Sequence, residues 1–267
     1  MSEDTDDILR IEEAGGIARV TLNRPHRLNA LNPALATALR EYFQGLQRRL
    51  DVRVVILQAA GAQFCAGLDL KEQEPGEDVG PEAMMAVQHS IRDIMIAMRR
   101  CPQPVIGVIQ GAASGGGFAL ALACDVRLAS PDARMNASFI RIGLTGCDMG
   151  VSYFLPRMVG SSVAAEYLLT GRFMNAQRAF GLGLFSQVAP LAELQLEAQS
   201  LAQDMLRNTP LGLRLTKEGL GHAIDAGSLE AVIAMEDRQQ VLCSQSGNFR
   251  EGMAAFLEKR VPDYHNT

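Results

Sequence analysis

The sequence contains no uninterrupted apolar run of membrane-spanning length. Residues 1–7 are acidic, so the start of the chain also lacks the basic and apolar segments of a signal or transit peptide. Basic residues are fewer than acidic ones, with 25 Lys and Arg and 30 Asp and Glu. The resulting formal charge of −5 disfavours nucleic acid or an anionic membrane as the main partner. We therefore expect a cytoplasmic protein that binds neither, while an anionic small ligand stays open because helix N-termini can hold phosphates.

Recognisable arrangements of metal ligands are also missing. The five cysteines are odd in number and are not spaced as ligand pairs, which favours reduced thiols over a disulfide framework. The four histidines show no ligand spacing either. With 48% hydrophobic and 21% charged residues the composition is that of an ordinary globular protein, so we expect a folded chain without a bound metal.

The first half of the chain predicts alternating strands and helices. Residues 8–11 and 17–22 form a predicted β-hairpin around a pair of glycines. Apolar runs rich in β-branched residues, at 52–59 and 105–109, are typical of buried parallel strands. Further predicted elements are helices from residue 33 to about 50, over 81–100 and over 115–123, and a strand over 125–129. Strand, crossover helix and strand in succession predict an α/β fold.

A breaker-rich stretch and a helical tail complete the prediction. Residues 74–81 are charged and rich in Pro and Gly, which indicates a mobile surface loop. From about residue 192 the strand signals disappear, and amphipathic helices are predicted over 194–206, 211–223, 229–242 and 249–257. We therefore divide the chain into an α/β core over residues 1–191 and a helical C-terminal subdomain over residues 192–267.

The first motif that could carry chemistry covers residues 64–72 and follows the predicted strand at 52–59. We expect it to enter a helix, where unpaired N–H groups at the carboxyl end of a parallel strand favour ligand binding. Its central Ala-Gly-Leu-Asp is a weak signal when it stands alone. An ordinary turn capped by Asp69 explains it equally well.

The second motif, at residues 111–118, contains three adjacent glycines directly after the strand at 105–109. In a helix each glycine costs about 0.5–1 kcal/mol relative to alanine, so a close approach by another backbone is the natural compensation. The motif lacks the Gly-Lys-Ser/Thr of a phosphate-binding Walker loop and the spacing of a dinucleotide fingerprint.

Together the two motifs resemble the signature segments of the crotonase, or enoyl-CoA hydratase/isomerase, superfamily. Four further segments support the resemblance, which covers essentially the whole chain: residues 21–25, 154–160, 169–172 and 252–260. The resemblance implies an α/β spiral of repeated ββα units, and a homotrimer or dimer of trimers assembled through the helical subdomain. It implies an acyl-CoA thioester as ligand and no separate cofactor, because CoA is part of the substrate.

The same resemblance assigns site residues. An oxyanion hole falls on the backbone amides of Leu68 and Gly116, and two aimed N–H donors of this kind stabilise the enolate of a thioester. An adenine pocket falls on Ala66, Gly67, Leu68, Asp69 and Leu70. The loop ending at Leu28 would lie near the CoA phosphates through Arg24 or Arg27, although a solvated loop is as good an account of either arginine. Gly115 would line the site. Phe139 with Met84, Met85, Met95 and Met98 suggests an apolar acyl pocket, although methionines at helical spacing are more often plain core.

The acid and base depart from the hydratase pattern. Hydratases of this superfamily carry two glutamates, at positions that correspond here to Ala119 and approximately Phe139, and shifting the second alignment by one residue gives no acid either. The remaining candidate is Asp148, which coincides with the aspartate of resembling dienoyl-CoA isomerases and phenylacetate-pathway isomerases. A simpler alternative is that Asp148 only caps a helix starting near Val151.

The number of carboxylates favours one reaction over another. Adding water to a 2-enoyl thioester is shared between two glutamates, whereas moving a double bond from position 3 to position 2 needs one base that takes a proton and returns it nearby. We therefore expect an isomerase with Asp148 as the proton shuttle. The alternatives are a hydratase and a CoA-thioester-binding homologue without catalysis. His89 is out of register with the histidine that a related dehalogenase uses, and we expect it to be a surface or wall residue.

Overall fold

The hairpin expected at the start of the chain is present in the computed structural model, which describes residues 8–72 and 80–264. Strand β1 (Leu9–Ala14) pairs antiparallel with β2 (Ile17–Leu22), and the two glycines between them, Gly15 and Gly16, have positive φ angles of 57° and 83°. Most of the loop expected at residues 74–81, and the acidic residues 1–7, lie outside the described residues.

A large sheet continues from this hairpin in parallel. Its remaining strands are β3 (Val54–Ala59), β4 (Val105–Ile109), β6 (Val126–Ala129) and β9 (Gln187–Val188), in the order β1-β2-β3-β4-β6-β9. A smaller sheet contains β5 (Ala112–Ser114), β7 (Arg134–Asn136) and β8 (Met174–Asn175). The strands β3, β4 and β6 are confirmed within two residues of their predicted starts.

The helices predicted with residue ranges are present, and two further helices that were not predicted lie between residues 161 and 181. In chain order they are α1 (Pro33–Gly45), α2 (Gly80–Arg100), α3 (Gly116–Ala123), α4 (Val151–Val159), α5 (Ser161–Thr170), α6 (Ala176–Gly181), α7 (Leu191–Leu206), α8 (Pro210–Ala223), α9 (Leu229–Ser244) and α10 (Gly247–Glu258). Helix α1 is shorter than predicted, because a 3-10 turn replaces its last residues. The helical tail after residue 192 is confirmed.

Successive segments alternate between the two sheets. Strand β4 lies in the large sheet, β5 follows in the small sheet, and α3 then returns the chain. Strands β6 and β7 repeat this alternation one step further along both sheets, where β4 pairs with β6 and β5 pairs with β7, both in parallel. One step earlier, Cys65 forms a parallel bridge to Ala113 of β5. Each ββα unit therefore advances both sheets by one strand, and α3 packs beside β5.

Two apolar clusters cover the two faces of the large sheet. One contains α1, α2 and the wholly buried α3. The other is closed by α7, whose Leu194, Ala198 and Ala202 pack on residues of the central strands such as Val54 and Ile106. Full burial of a Val, Leu or Ile side chain is worth about 1.5–3 kcal/mol. Packing is therefore continuous across residue 191, because α7 forms one wall of the α/β core.

Candidate active site

The two motifs come together where β5 leads into α3. The Cys65 amide donates to the Ala112 carbonyl at 3.0 Å, and the Ser114 amide donates to the Cys65 carbonyl at 2.9 Å. A Cβ atom at Gly117 would lie only 2.1 Å from the Cys65 carbonyl oxygen. The close backbone approach predicted from the triple glycine is therefore confirmed at Gly117.

The first motif does not enter a helix within residues 64–72, which corrects the sequence prediction. Its backbone is used in strand-like pairing instead. Leu31 donates to the Gly67 carbonyl at 2.7 Å, Asp69 donates to the Leu31 carbonyl at 3.0 Å, and Leu68 forms a parallel bridge with Leu31. Pairing with Ala112 on one side and Leu31 on the other keeps the segment extended.

Two N–H groups are left over by this pairing. Gly67, at φ 94°, lies so close to the start of α3 that a Cβ atom there would be 3.4 Å from the Gly116 amide nitrogen. Among the hydrogen bonds of residues 8–72 and 80–264, none uses the amide of Leu68 or of Gly116 as donor. The neighbouring amides of Gly115 and Asp69 are both occupied, the former by the Asn136 carbonyl. The structure thus brings the two expected oxyanion donors into one small region and leaves both available.

Asp148 reaches the same region through its neighbour in the chain. The buried Met149 packs against Gly116, and its sulfur would be 3.5 Å from a Cβ atom placed there. The half-buried carboxylate of Asp148 accepts from the Met149 amide at 2.7 Å and from the Gln88 side-chain amide, both through Oδ1. Burial raises the pKa of Asp148 above its usual value, while these two hydrogen bonds act in the opposite direction.

The helix-capping alternative for Asp148 is wrong. Helix α4 begins after Gly150, which occupies the N-cap position at φ 86° and makes no side-chain cap. Asp148 contributes only its backbone carbonyl, which accepts from the Val151 amide at 2.9 Å. Its side chain is aimed at α2 and has no part in the helix start.

The two positions at which hydratases carry glutamates are occupied by buried apolar residues. Ala119 is fully buried in α3, and the ring of Phe139 packs beside Gly115. Asp148 faces a cavity of about 1170 Å³ bordered by α2, α4 and α8. Among the described residues that line this cavity, the other carboxylates are those of Glu218 and Asp225. Asp225 is already paired with Arg157 at 3.0 Å. The charge of neither acid contributes to the shifted pKa of Asp148.

Gln88 is a residue that the sequence reasoning missed. It lies on α2 next to the candidate His89, and it is Gln88 rather than the histidine that contacts Asp148. One face of α2 lines the cavity through Gln88, Arg92, Met95 and Arg99, at the spacing of successive helical turns. The helical spacing of these residues could have placed Gln88 on the face of α2 that lines the cavity. It could not have predicted that the side chain of Gln88 contacts Asp148.

The two arginines of the first loop have different surroundings. Arg24 has no exposed surface, and its guanidinium contacts the carboxylates of Asp69, at 3.1 Å, and Glu72. This placement argues against Arg24 as a phosphate ligand, because its charge is already compensated inside the protein. Arg27 lies 3.4 Å from Asp69 through Nε and is 28% exposed, so it remains able to meet an anion.

Asp69 is a buried partner of these arginines as well as a turn residue. Burial opposes its ionisation, but the hydrogen bond from Arg24 and the charge of Arg27 outweigh it, so the pKa of Asp69 lies below its usual value. Oδ1 of Asp69 also accepts from the Lys71 amide at 3.3 Å, which is the local capping that the sequence allowed.

The expected adenine pocket has exposed apolar sides. Leu28, in the left-handed region at φ 53°, is 52% exposed, and Leu70 is 54% exposed. The Ala66 amide donates to the Leu28 carbonyl at 3.0 Å, so these residues belong to one surface. Exposed apolar side chains of this kind suit the face of an aromatic base.

The part of the chain that the structure describes contains no helix long and apolar enough to cross a membrane. Within the same residues no group of three or more His, Cys, Asp or Glu side chains could hold a metal ion.

Comparison with known proteins gives a consistent match. Residues 12–267 match the model of the family described as enoyl-CoA hydratase/isomerase. A probable enoyl-CoA hydratase of Mycobacterium bovis is 38% identical over 251 residues, which cover 92% of this chain and 88% of that protein. The 1,2-epoxyphenylacetyl-CoA isomerase of Escherichia coli is 33% identical over 254 residues, covering 93% and 95%. The crystal structure of an enoyl-CoA hydratase from Bacillus anthracis superimposes with a TM-score of 0.91 at 33% identity, covering 98% of this chain and 100% of that one.

Proposed function

We propose that this chain, which belongs to the enoyl-CoA hydratase/isomerase family and has the crotonase fold, is an enoyl-CoA isomerase that moves a double bond from position 3 to position 2. As a member of this family the chain is an enzyme that acts on CoA thioesters. The observation that supports isomerisation is that Asp148, whose chain neighbour Met149 packs against Gly116, brings one carboxylate toward the unused amides of Leu68 and Gly116.

The amides of Leu68 and Gly116 would hold the thioester oxygen. Removing a proton from C2 of a 3-enoyl thioester places negative charge on that oxygen, and two preorganised N–H donors stabilise it in a site shielded from water. Losing one such donor costs about 10²- to 10³-fold in rate. The open amides of Leu68 and Gly116 would therefore supply the electrostatic part of catalysis.

Asp148 would move the proton. Its carboxylate takes the C2 proton, the electron pair delocalises over the dienolate, and the same carboxyl group returns a proton to C4, which leaves the double bond between C2 and C3. No other acid or base is needed, because the proton leaves and returns on the same group. General acid–base catalysis of this kind is worth about 10²- to 10⁴-fold.

A hydratase is the second candidate, and it is favoured by the names of several relatives, including the one from Mycobacterium bovis. Against it, Ala119 and Phe139 occupy the positions at which the hydratase glutamates are expected, and both are buried apolar residues. The Escherichia coli relative, named an isomerase, is similar to this chain over a comparable length.

The CoA part of the substrate would bind to the surface formed by the loop that ends at Leu28 and by the residues around Gly67. We assign the adenine to the surface formed by Leu28, Ala66 and Leu70. We assign the phosphates to Arg27, because both arginines contact Asp69 and Glu72 but Arg27 is 28% exposed whereas Arg24 is fully buried. CoA then arrives as part of the substrate, and the reaction needs no added cofactor or metal.

The helical region from residue 192 would mediate assembly into a homotrimer or a dimer of trimers. Helix α9 buries none of its residues, and large apolar side chains on α8–α10 are strongly exposed, among them Leu220, Leu229, Leu242 and Phe256, the last at 83%. Apolar surface of this extent favours association. Sedimentation velocity tests it: a single species at the mass of one chain would contradict the proposal.

The reaction is tested by turnover of 3-enoyl and 2-enoyl-CoA thioesters, followed by absorbance of the conjugated thioester and by mass. Isomerisation gains conjugation from the 3-enoyl substrates without a change in mass, and Asp148→Asn abolishes it. The matched control is Asp204→Asn, which removes an exposed carboxylate on α7 and should leave turnover unchanged. Gain of one water on 2-enoyl substrates would support the hydratase, and binding without turnover of either series would support a non-catalytic homologue.

A further inference from the structure

Both hydrogen bonds that hold the Asp148 carboxylate end on the same oxygen. Oδ1 accepts from the Met149 amide and from the Gln88 side chain. Among the hydrogen bonds of the described residues none uses Oδ2. We propose that Gln88 is a positioning residue that fixes this carboxylate and leaves Oδ2 as the oxygen that carries the proton, an inference that rests on the proposed role of Asp148.

The chain is shaped to make this arrangement. Met149 has a φ of 50°, which is uncommon for a residue other than glycine and persists only where the surroundings impose it. The Met149 amide lies 2.7 Å from Oδ1 of the preceding residue. The buried Met149 side chain then locks the turn against Gly116.

The second donor comes from a rigid element. Gln88 is one helical turn before Ile91, and Ile91, Ile94 and Met95 anchor α2 in the core. Its side-chain NH₂ group can only donate, so it keeps the same hydrogen bond whether Asp148 is charged or protonated. A nearby histidine would instead compete for the proton.

Because both donors hold Oδ1, the proton would be carried by Oδ2. A carboxyl group held on one oxygen by two donors can be protonated on the other without rotating. The proton taken from C2 would remain on the oxygen that faces the substrate until it returns to C4. Gln88 would therefore act on kcat rather than on binding, since it contacts Asp148 and not the thioester.

Replacing Gln88 should move the pH profile in a direction that depends on the new side chain. Burial raises the pKa of Asp148 and the hydrogen bond from Gln88 lowers it. Gln88→Met keeps the length but removes the donor, so the acid limb of kcat should move to higher pH. Gln88→Lys supplies a charged donor, so the limb should move to lower pH.

The experiment measures kcat and KM against pH for a 3-enoyl-CoA substrate, with wild type, Gln88→Met, Gln88→Lys and Asp148→Asn. We expect Gln88→Met to lower kcat by about tenfold, a part of the 10²- to 10⁴-fold available from acid–base catalysis, with KM changed less than about twofold. Gln44→Met is the matched control, since Gln44 is an exposed residue of α1. Thermal melting establishes that each variant is folded.

The outcomes separate this inference from the proposed function. If Asp148→Asn retains wild-type turnover, the role of Asp148 itself is wrong. If Asp148→Asn is inactive but Gln88→Met leaves kcat and its acid limb in place, Asp148 stands and the positioning role of Gln88 is overturned. A fall in melting temperature without a shift of the acid limb would also overturn it, as would limbs that move the same way in Gln88→Met and Gln88→Lys.

Discussion

Arg24 and Asp69 form a buried ion pair in which Nη1 and Oδ2 lie 3.1 Å apart, with side-chain exposures of 0% and 5%. Asp69 directly follows Leu68, and its amide is bonded to the Leu31 carbonyl. The pair therefore fixes the backbone next to Leu68, the proposed oxyanion donor. Arg24, which the sequence suggested as a contact for the CoA phosphates, is instead held inside the protein by Asp69.

Arg24→Met should both destabilise and inactivate the protein. Removing one partner of a buried ion pair leaves an uncompensated charge and costs about 3–5 kcal/mol, because Asp69 loses its main donor. Urea unfolding measures the loss. Arg49→Met is the matched control: Arg49 also contacts two carboxylates, Glu13 and Asp51, but on the surface, and its effect should be a small fraction of that of Arg24→Met. Equal effects would contradict the buried network.

Gly117→Ala should remove activity without an acidic or basic group being touched. The new Cβ atom would lie 2.1 Å from the Cys65 carbonyl, so the two segments must separate and the amides of Leu68 and Gly116 lose their alignment. We expect kcat/KM to fall by about 10²-fold or more, the value of one oxyanion donor. Gly45→Ala, at an open helical position, is the control and should be neutral or slightly stabilising. Wild-type kinetics in Gly117→Ala would rule out the close approach as a catalytic requirement.

The rate of the proposed isomerisation should fall on the acid side at a higher pH than an ordinary aspartate would give. The base must be ionised to accept a proton, and burial raises the pKa of Asp148 above the usual value of about 3.9. The rate is therefore retained above the raised pKa and lost as the pH falls through it. A kcat profile measured where the protein stays folded checks this, and an acid limb at or below the ordinary aspartate value would contradict it.

Asp148→Asn should stabilise the fold at neutral pH. A raised pKa means that the folded state binds the proton more tightly than the unfolded state, so ionisation of Asp148 lowers the free energy of unfolding as the pH rises through that pKa. The uncharged amide avoids this loss, and its advantage should vanish at a pH below the unfolded value of about 3.9. Urea titrations of both proteins across this range measure it. A variant less stable than wild type at neutral pH would show that the carboxylate serves the fold rather than the reaction.

The sequence predicted the parts of the fold that repeat locally. Strands β4 and β6 and helix α3 were visible because each carries a continuous apolar pattern. Strands β5, β7 and β8 were missed, since two or three residues contain no period to detect. The helix that the motif at residues 64–72 was expected to enter is absent within those residues, because their backbone pairs with Leu31 and Ala112, which are distant in sequence.

The candidate site was predicted from motifs, and its supporting contacts were not. The motifs identified the segments of Leu68 and Gly116, which the structure brings together. The contact of Gln88 with Asp148 spans 60 residues, and that of Arg24 with Asp69 spans 45. No local pattern predicts such pairs. The burial of Arg24 was likewise invisible, because its surroundings are completed by residues that follow much later.

The position of α7 in the chain also bears on how the protein is made. One face of the large sheet, which includes Val54 and Ile106, is covered by Leu194 and Ala198 of α7, which are synthesised much later. During synthesis the first ββα units therefore leave the ribosome with an apolar face still bare, and the long sequence separation slows its closure. This face of the sheet is therefore completed only once α7, which ends at Leu206, has left the ribosome.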